Sequence, residues 1–191
     1  MIKVAHLQTS SLKRPVFFID FNDSFSYNIL AYLKKWVSVE IISPQNVENY
    51  LTKDDMRFIW GPGPGRADEY GIDFKLLKQS LLNSTQRHFG ICLGHQLIGL
   101  SLGGKYKSLS QPLHGVSRSV TLPEWSEWGM NGSNINAQFY NSLVVEIGDI
   151  ENARVHRYDN EVLMISSQTV ISCQFHPESV GTSCPERLFS A

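Results

Sequence analysis

A cysteine flanked by glycines is the sequence feature that points most directly to chemistry. Gly90-Ile91-Cys92-Leu93-Gly94 has the form G-x-C-x-G and lies between a strand-like run and a helix-like run. This pattern is typical of a nucleophile elbow, a tight turn that exposes its central side chain at a helix N-terminus. The positive end of the helix dipole favours the thiolate of Cys92. The alternative is that Cys92 is a small buried hydrophobic residue.

A nucleophilic cysteine needs a base, and the segment Gln174-Phe175-His176-Pro177-Glu178 offers one. Pro177 is incompatible with a helix interior. In extended backbone, His176 and Glu178 would point to the same side, where the carboxylate would hold the imidazole in one tautomer. The pair would then serve Cys92 as the base and orienting members of a triad. A surface histidine beside an unrelated glutamate is the alternative.

Three further histidines lie near these motifs. His88, on the strand before the elbow, is predicted to be structural. His95 is predicted to point along the flank of the helix that follows the elbow. His114, beside Gly115, would either line the site or end a turn.

A second loop, GPGPG at 61–65, follows the strand-like run MRFIW at 56–60. Proline cannot donate to a strand ladder and glycine tolerates unusual dihedrals, so the loop is predicted to be rigid. Its backbone N–H groups are suited to an oxyanion, with the N–H of Leu93 as the natural second donor. A plain rigid turn is the alternative.

Strand-like and helix-like segments alternate through the first hundred residues. Short apolar runs predict strands at 16–20, 37–41, 56–60 and 87–91. After three of these strands, apolar residues recur at helical spacing. The first set is Phe25, Ile29, Tyr32 or Leu33, and Trp36, and the second is Tyr70, Phe74, Leu77 and Leu81. The third is the run after Cys92, which Gly103-Gly104 should end. Asn22, Asp23 and Ser24 are the predicted cap residues of the first helix.

This alternation predicts an α/β fold, an open and mostly parallel sheet flanked by helices. From about 105 to 175, short Val/Ile/Tyr/Phe-rich pieces predict an added, partly antiparallel β region in the C-terminal half. Ligands of such sheets bind beyond the carboxyl ends of the strands. We therefore expect the loops 20–28, 61–65 and 90–94 to converge on one edge.

Composition excludes several functional classes. The chain has 191 residues, with 17 Lys+Arg against 18 Asp+Glu, which argues against nucleic acid or an anionic membrane as the main partner. Its apolar stretches are far shorter than the roughly 20 residues that span a bilayer. Residues 1–14 form an N-terminal extension without the apolar region of a secretory signal. We expect one soluble, cytoplasmic domain over 1–191.

The cysteines fit that expectation. Cys92, Cys173 and Cys184 are odd in number and widely spaced, and no CxxC pair is present. Neither a disulfide framework nor a zinc site is therefore expected. Cys173 is predicted to be a core residue.

Several ordered motifs together resemble a known family. GICLGHQLIG at 90–99, GPGPG at 61–65 and QFHPES at 174–179 are similar to motifs of the class I (triad) glutamine amidotransferases. FIDFNDSFSYNI at 18–29 resembles, within that family, the glutaminase subunits of chorismate-using enzymes. These are anthranilate synthase component II and the small subunit of aminodeoxychorismate synthase. The resemblance extends over about residues 16–183 and implies the flavodoxin-like fold of that family.

The resemblance also implies roles for individual residues. Cys92 would be the nucleophile, His176 the general base and acid, and Glu178 the residue that orients it. Gly63 and Leu93 would supply the N–H groups of the oxyanion hole. The implied glutamine-binding residues are Gly63, Pro64, Gly65, Gln96, Ser142 and Leu143.

No metal or other cofactor is implied. The implied partners are L-glutamine and a separate chorismate-binding synthase large subunit, which would receive ammonia. The motifs occupy nearly the whole chain, so we expect the product to be handed to another chain.

Departures from the family pattern leave alternatives open. Asn141 stands where histidine is common, Ser166-Ser167-Gln168 where a histidine and a basic residue are frequent, and the His114-Gly115 pair lacks a following lysine. The acceptor pathway, anthranilate for tryptophan or aminodeoxychorismate for folate, therefore stays open. So does a catalytically silent interaction subunit. A phosphate-binding module, with an anion held by the segment 23–26, is the third alternative.

Overall fold

The computed structural model describes residues 15–35, 37–126 and 130–183. The N-terminal extension 1–14, Trp36 in the predicted first helix, and Cys184 lie outside the described residues. The single domain over 1–191 therefore stays a prediction.

Within the described ranges the chain forms eleven strands and four α-helices. The strands are β1 (Val16–Ile19), β2 (Val39–Ile42), β3 (Arg57–Trp60), β4 (Arg87–Ile91), β5 (Lys105–Ser108), β6 (Val116–Thr121), β7 (Asn134–Phe139), β8 (Leu143–Glu146), β9 (Ala153–Tyr158), β10 (Glu161–Ser167) and β11 (Val170–Cys173). The helices are α1 (Ser26–Leu33), α2 (Glu48–Leu51), α3 (Phe74–Leu82) and α4 (Leu93–Ser101).

Seven strands form the central sheet in the order β2-β1-β3-β4-β11-β10-β9. The strands from β2 to β11 in this order are parallel, and β10 and β9 complete the sheet in antiparallel pairing. Two antiparallel pairs, β5 with β8 and β6 with β7, stand apart from it. This confirms the predicted mostly parallel α/β sheet with added antiparallel strands. The parallel insertion of β11 beside β4 was not predicted.

The central strands are buried almost throughout because both faces of the sheet are covered. In β3, Ile59 packs into one core cluster with Leu33 of α1. Its neighbour Phe58 packs into a second cluster with Leu77 of α3. The edge strand β2 departs from the predicted alternation, since Ile41 is 54% exposed while Ile42 is buried. The outer face of an edge strand is less well covered than that of a central strand.

The starts of α1 and α3 differ in how they are capped, and a cap was predicted only for α1. In α3, the Asp73 carboxylate accepts hydrogen bonds from the N–H groups of Lys75 and Leu76, at 2.7 and 3.2 Å. The predicted cap residues of α1 do not cap it, because Phe25 occupies the N-cap position without a side-chain bond. Asp23 instead accepts from the Phe25 N–H at 2.8 Å, closing a turn before the helix.

The carboxyl ends of β1, β3 and β4 meet at one edge, as predicted. The N–H of Gly61 donates to the carbonyl of Ile19 at 3.1 Å. The carbonyl of Gly61 in turn accepts from the N–H of Gly94 at 3.1 Å. These bonds hold the GPGPG loop between the end of β1 and the start of α4, so the loops converge beside Cys92.

Candidate active site

Cys92 forms the turn between β4 and α4 in a backbone conformation that side chains rarely adopt. Its φ is 51° and its ψ is −101°, and it occupies the N-cap position of α4. A non-glycine residue in such a conformation is held there by its surroundings. A Cβ on Gly94 would clash with the Trp60 carbonyl, and one on Gly90 would lie 2.8 Å from the Gly94 carbonyl oxygen. The predicted strand–cysteine–helix elbow is therefore present, and both glycines are sterically required.

His176 and Glu178 form a buried pair. Their side chains meet through Nδ1 and Oε1 at 2.6 Å, and both residues are almost fully buried. The predicted extended backbone is wrong, since Pro177 and Glu178 lie in a turn that follows an isolated bridge between His176 and Gln138. The turn, rather than strand alternation, brings the carboxylate back to the ring.

The His176 ring hydrogen-bonds Glu178 and interacts electrostatically with Cys92. Because Nδ1 faces the carboxylate, Nε2 is left for the sulfur. Burial works to lower the pKa of His176. The negative charges of Cys92 and Glu178 outweigh it and raise the pKa well above its usual value. The site thus favours the imidazolium form of His176, the partner that a nucleophilic cysteine requires.

A cavity of about 220 Å³ opens in front of Cys92. Every residue that the resemblance assigned to glutamine lines it, together with three that were not assigned. The predicted lining residues are Gly63, Pro64, Gly65, Leu93, Gln96, Ser142 and Leu143, and the additional ones are His114, Tyr140 and Asn141. A larger cavity of about 500 Å³ lies between β5, β8 and the β9–β10 turn, and its lining includes neither Cys92 nor His176.

The two predicted oxyanion donors, Gly63 and Leu93, both line this cavity and lie close together. A Cβ on Gly63 would lie 2.5 Å from the Leu93 side chain and 2.5 Å from the Phe21 Cβ, so only glycine fits. The Tyr70 hydroxyl donates to the Pro64 carbonyl at 2.8 Å and fixes the loop from outside. The donor role of the two N–H groups stays a prediction.

Three residues of the site were not predicted. The rings of Phe25 and Tyr140 lie 5.1 and 5.0 Å from the His176 ring and flank it. Gln174 approaches Cys92, with its Nε2 at 3.6 Å from the sulfur. Phe25 was assigned only a helix-packing role, and Gln174 was visible only as part of a motif. Each of these contacts depends on how the strands and helices are arranged, which no local sequence pattern shows.

His88, His95 and Cys173 are built into the core, whereas His114 is not. His88 is fully buried as predicted, and burial lowers its pKa to about 3. His95 is also fully buried, with Nδ1 2.9 Å from the Ser172 hydroxyl and a pKa lowered by burial to about 4. It does not lie along the helix flank. Cys173 lies in the core as predicted, and burial raises the pKa of its thiol. His114 is exposed at the cavity rim.

The loop before α1 is poorly suited to an anion. The Asp20 carboxylate accepts from the Asn22 N–H at 2.9 Å and from the Ser26 hydroxyl at 2.7 Å. Asp23 occupies the Phe25 N–H. The donors that would cradle a phosphate are thus bound to the loop's own carboxylates, which counts against the phosphate-binding alternative.

No helix in the described ranges is long and apolar enough to cross a membrane.

Comparison with known proteins identifies a family and a group of relatives. The family model "Glutamine amidotransferase class-I" matches residues 17–190. The anthranilate synthase component 2 of Saccharolobus solfataricus is 32% identical over 185 residues, covering 86% of this chain and 90% of that protein. The bifunctional protein TrpGD of Thermotoga maritima is 30% identical over 187 residues, which are 93% of this chain and 31% of that longer protein.

Solved structures share the fold. A glutamine amidotransferase from Thermotoga maritima aligns with a TM-score of 0.67 at 14% identity, over 88% of this chain and 77% of that one. A glutamine amidotransferase from Methylobacillus flagellatus aligns with a TM-score of 0.64 at 18% identity, over 88% and 72%. At these identities the likeness concerns the fold.

Proposed function

Because this enzyme belongs to the class I glutamine amidotransferase family, we propose that Cys92, His176 and Glu178 are the triad with which it hydrolyses L-glutamine. One observation carries the proposal. A cysteine at a helix N-terminus interacts electrostatically with a buried histidine, whose raised pKa favours the imidazolium, beside a cavity of about 220 Å³.

Attack by the thiolate is the first step. The Cys92 sulfur bonds to the side-chain amide carbon of glutamine, and the carbonyl electrons move to oxygen. The N–H groups of Gly63 and Leu93 hold that oxyanion, and the loss of one such donor costs roughly 3 kcal/mol in comparable sites. Gly65, Pro64, Gln96, Ser142 and Leu143 line the remaining wall and bind the substrate's α-amino acid end.

Departure of ammonia and hydrolysis complete the cycle. The imidazolium of His176 donates its proton to the amide nitrogen, since that nitrogen leaves poorly as an anion. The C–N bond breaks, and ammonia and a glutamyl thioester result. Neutral His176 then takes a proton from water, the hydroxide attacks the thioester, and the C–S bond breaks. Glutamate leaves and the thiolate–imidazolium pair is restored, with Glu178 holding the ring throughout.

The acceptor of the ammonia is the finer part of the proposal. We infer that a separate chorismate-using synthase subunit receives it, in the formation of anthranilate or of 4-amino-4-deoxychorismate. The relatives named anthranilate synthase component 2 support the anthranilate branch. We also assign the protein to the cytoplasm, a reducing compartment that suits a working thiolate. The described cysteines, Cys92 and Cys173, are both free thiols.

Glutamate release from glutamine, with Cys92→Ala and Cys173→Ala as a matched pair, tests this function. Both replace a buried cysteine, and only the first removes the proposed nucleophile. Cys92→Ala should abolish turnover, and Cys173→Ala should retain it. Full activity of folded Cys92→Ala would refute the proposal.

Labelling by an electrophilic glutamine analogue separates the enzyme from the silent-subunit alternative. The active enzyme should be labelled at Cys92, and glutamine should protect it. A folded wild-type protein that is neither labelled nor active would favour the interaction subunit, which the departures at Asn141 and 166–168 first suggested.

A further inference from the structure

The backbone fixes Gln174 beside the proposed nucleophile. The last residue of β11, Cys173, lies opposite Ile91 of β4. One residue further, the Cys92 N–H donates to the Cys173 carbonyl at 2.9 Å, and the Gln174 N–H donates to the Leu163 carbonyl at 2.9 Å. Gln174 is thus held from both sides where β11 ends next to the elbow.

Its side chain is oriented by a short chain of hydrogen bonds. The Gln96 Nε2 donates to the Leu143 carbonyl at 2.9 Å and to the Gln174 Oε1 at 3.3 Å. A backbone carbonyl only accepts, so the Leu143 contact sets which end of the Gln96 amide carries nitrogen. That nitrogen sets the Gln174 oxygen toward itself. The Gln174 Nε2 is thereby turned toward the Cys92 sulfur, at 3.6 Å.

We propose that Gln174 is a further catalytic residue, whose amide N–H donates to the Cys92 thiolate, and that Gln96 is the positioning residue that orients it. The inference rests on the proposed function of Cys92 as nucleophile. Both glutamines are buried, at 2% and 4% exposure, so their amides bond to protein groups and not to bulk water. A donor aimed at a buried anion favours the charged form and holds the sulfur in one position.

Other groups also act on this sulfur, and the test must keep them unchanged. His176 interacts electrostatically with Cys92 from the segment after β11, and Glu178 hydrogen-bonds the other side of its ring. The Cys173 thiol is near on β11 itself. Across the cavity wall lie His114 and Tyr140. All of them remain when Gln174 alone is replaced, so a difference between variants isolates the amide.

The experiment is the rate of alkylation of Cys92 by iodoacetamide as a function of pH, followed on the Cys92 peptide by mass spectrometry. Gln174→Met keeps the side-chain length and removes the donor. We expect the midpoint of its alkylation profile to rise by about one pH unit, and kcat for glutamine to fall about tenfold with a smaller change in KM. Gln96→Met should move the midpoint in the same direction by less.

Gln86→Met is the matched control. Gln86 is fully buried and its Nε2 donates to the Leu51 and Lys53 carbonyls, so its loss tests burial of a polar group without touching the site. Its alkylation profile should equal that of the wild type. Should Gln174→Met not fold, Gln174→Leu gives the same test, since it also removes the donor and adds no charge.

An unchanged profile in folded Gln174→Met or Gln174→Leu would overturn the inference. A wild-type protein that reacts with iodoacetamide but never hydrolyses glutamine would overturn the proposed function instead. In that case the shift between the Gln174 variants still decides whether the amide acts on the sulfur.

Discussion

Glu178 is placed to control the charge and tautomer of His176. Its carboxylate lies 2.6 Å from Nδ1, and water has almost no access to either side chain. A donor–acceptor pair of this kind keeps Nδ1 protonated and leaves Nε2 for the nucleophile and the leaving group. The carboxylate also stabilises the imidazolium that must form during each proton transfer.

Glu178→Gln should therefore lower kcat for glutamine by roughly 10²- to 10⁴-fold. The neutral amide removes one of the charges that raise the pKa of His176. The imidazolium then deprotonates at lower pH, so the basic limb of the activity profile should shift to lower pH. Steady-state kinetics across pH checks both effects. Glu151→Gln, at an exposed position, should change neither, and an unaltered profile in Glu178→Gln would contradict the assignment.

The burial of His88 predicts that the folded protein loses stability in acid, independently of catalysis. Its Nδ1 accepts from the Trp60 indole at 3.2 Å, so protonation would break that bond inside the core. The folded-state pKa is lowered to about 3, from 6.5. Between these values the unfolded chain binds a proton that the folded chain does not. The contribution to stability is therefore complete above about pH 6.5 and is lost as the pH falls.

Urea unfolding at several pH values should show this loss, roughly 3 kcal/mol from His88 by about pH 4.5. His95, whose pKa is lowered to about 4, acts in the same direction. His88→Gln should unfold with a shallower dependence on pH, whatever its absolute stability. His114→Gln, at the exposed rim, should retain the wild-type slope. Equal slopes in all three proteins would contradict the prediction.

At the scale of single residues, the sequence was sufficient to predict the site residues whose side chains carry recognisable chemistry. Cys92, His176 and Glu178 were predicted, and the structure brings them together. Gln174, Phe25 and Tyr140 were not, because their contacts depend on which strands pair and in which register. Gln174 reaches Cys92 only because β11 runs parallel to β4. No local pattern distinguishes that pairing from an antiparallel one.

Among the elements, the elbow depends most strictly on backbone proximity. Gly94 opens α4 against the carbonyl of Trp60, which belongs to the fully buried strand β3. Trp60 cannot move without breaking its pairing with β1 and β4, and Gly94 is held by the bond from its N–H to the Gly61 carbonyl. The contact therefore differs from ordinary tight packing, in which a flexible side chain yields.

Gly94→Ala should be destabilised by about 3 kcal/mol or more, at or beyond the upper end of overpacking costs. Gly148→Ala is the control, because a Cβ there meets nothing within 4 Å. Denaturant midpoints of the two variants give the comparison. A Gly94→Ala protein as stable as Gly148→Ala would show that the elbow is more adaptable than its geometry indicates.

The elements themselves were predicted unevenly, for physical reasons. Strand β4 was predicted at its observed bounds because a short apolar run ends in an elbow motif. The start of α1 was misplaced, since Asp23 and its neighbours bond their own loop instead of the helix. The prediction of which β2 side chains are buried was also wrong, because an edge strand buries only some of its apolar residues. Local signals succeed where both faces are covered and fail at edges and turns.

At the scale of the whole molecule, the proposed synthase subunit needs a surface near the site. Val180 is 98% exposed, two residues after Glu178, and Tyr27 of α1 is 80% exposed. Exposed apolar residues beside a catalytic pair are suited to a partner interface. We expect glutamine turnover to be weak alone and strong with the synthase subunit, since ammonia released into water is wasted. Equal turnover in both conditions would contradict the coupling.

Val180→Glu should raise, by about tenfold, the concentration of synthase subunit that gives half-maximal activation, because a charge would be buried on association. Glutamine turnover without partner should not change. Leu82→Glu is the control: Leu82 is 64% exposed and ends α3, at the opposite edge of the sheet from Cys92. The measurement is glutamate release during titration with the synthase subunit. Equal effects of both substitutions would place the interface elsewhere.

The proposed base, His176, follows β11 of the central sheet but is also bridged to a strand of a second, smaller sheet. Cys92 follows β4 of the central sheet, whereas the His176 N–H donates to the Gln138 carbonyl of β7 at 2.9 Å. The β6–β7 pair is a two-stranded unit, and small units open locally at lower free energy than a core sheet. Native-state hydrogen exchange should therefore show β6, β7 and the His176 amide opening before β4. Low denaturant would then abolish activity in molecules whose central sheet is intact, by separating the base from its nucleophile.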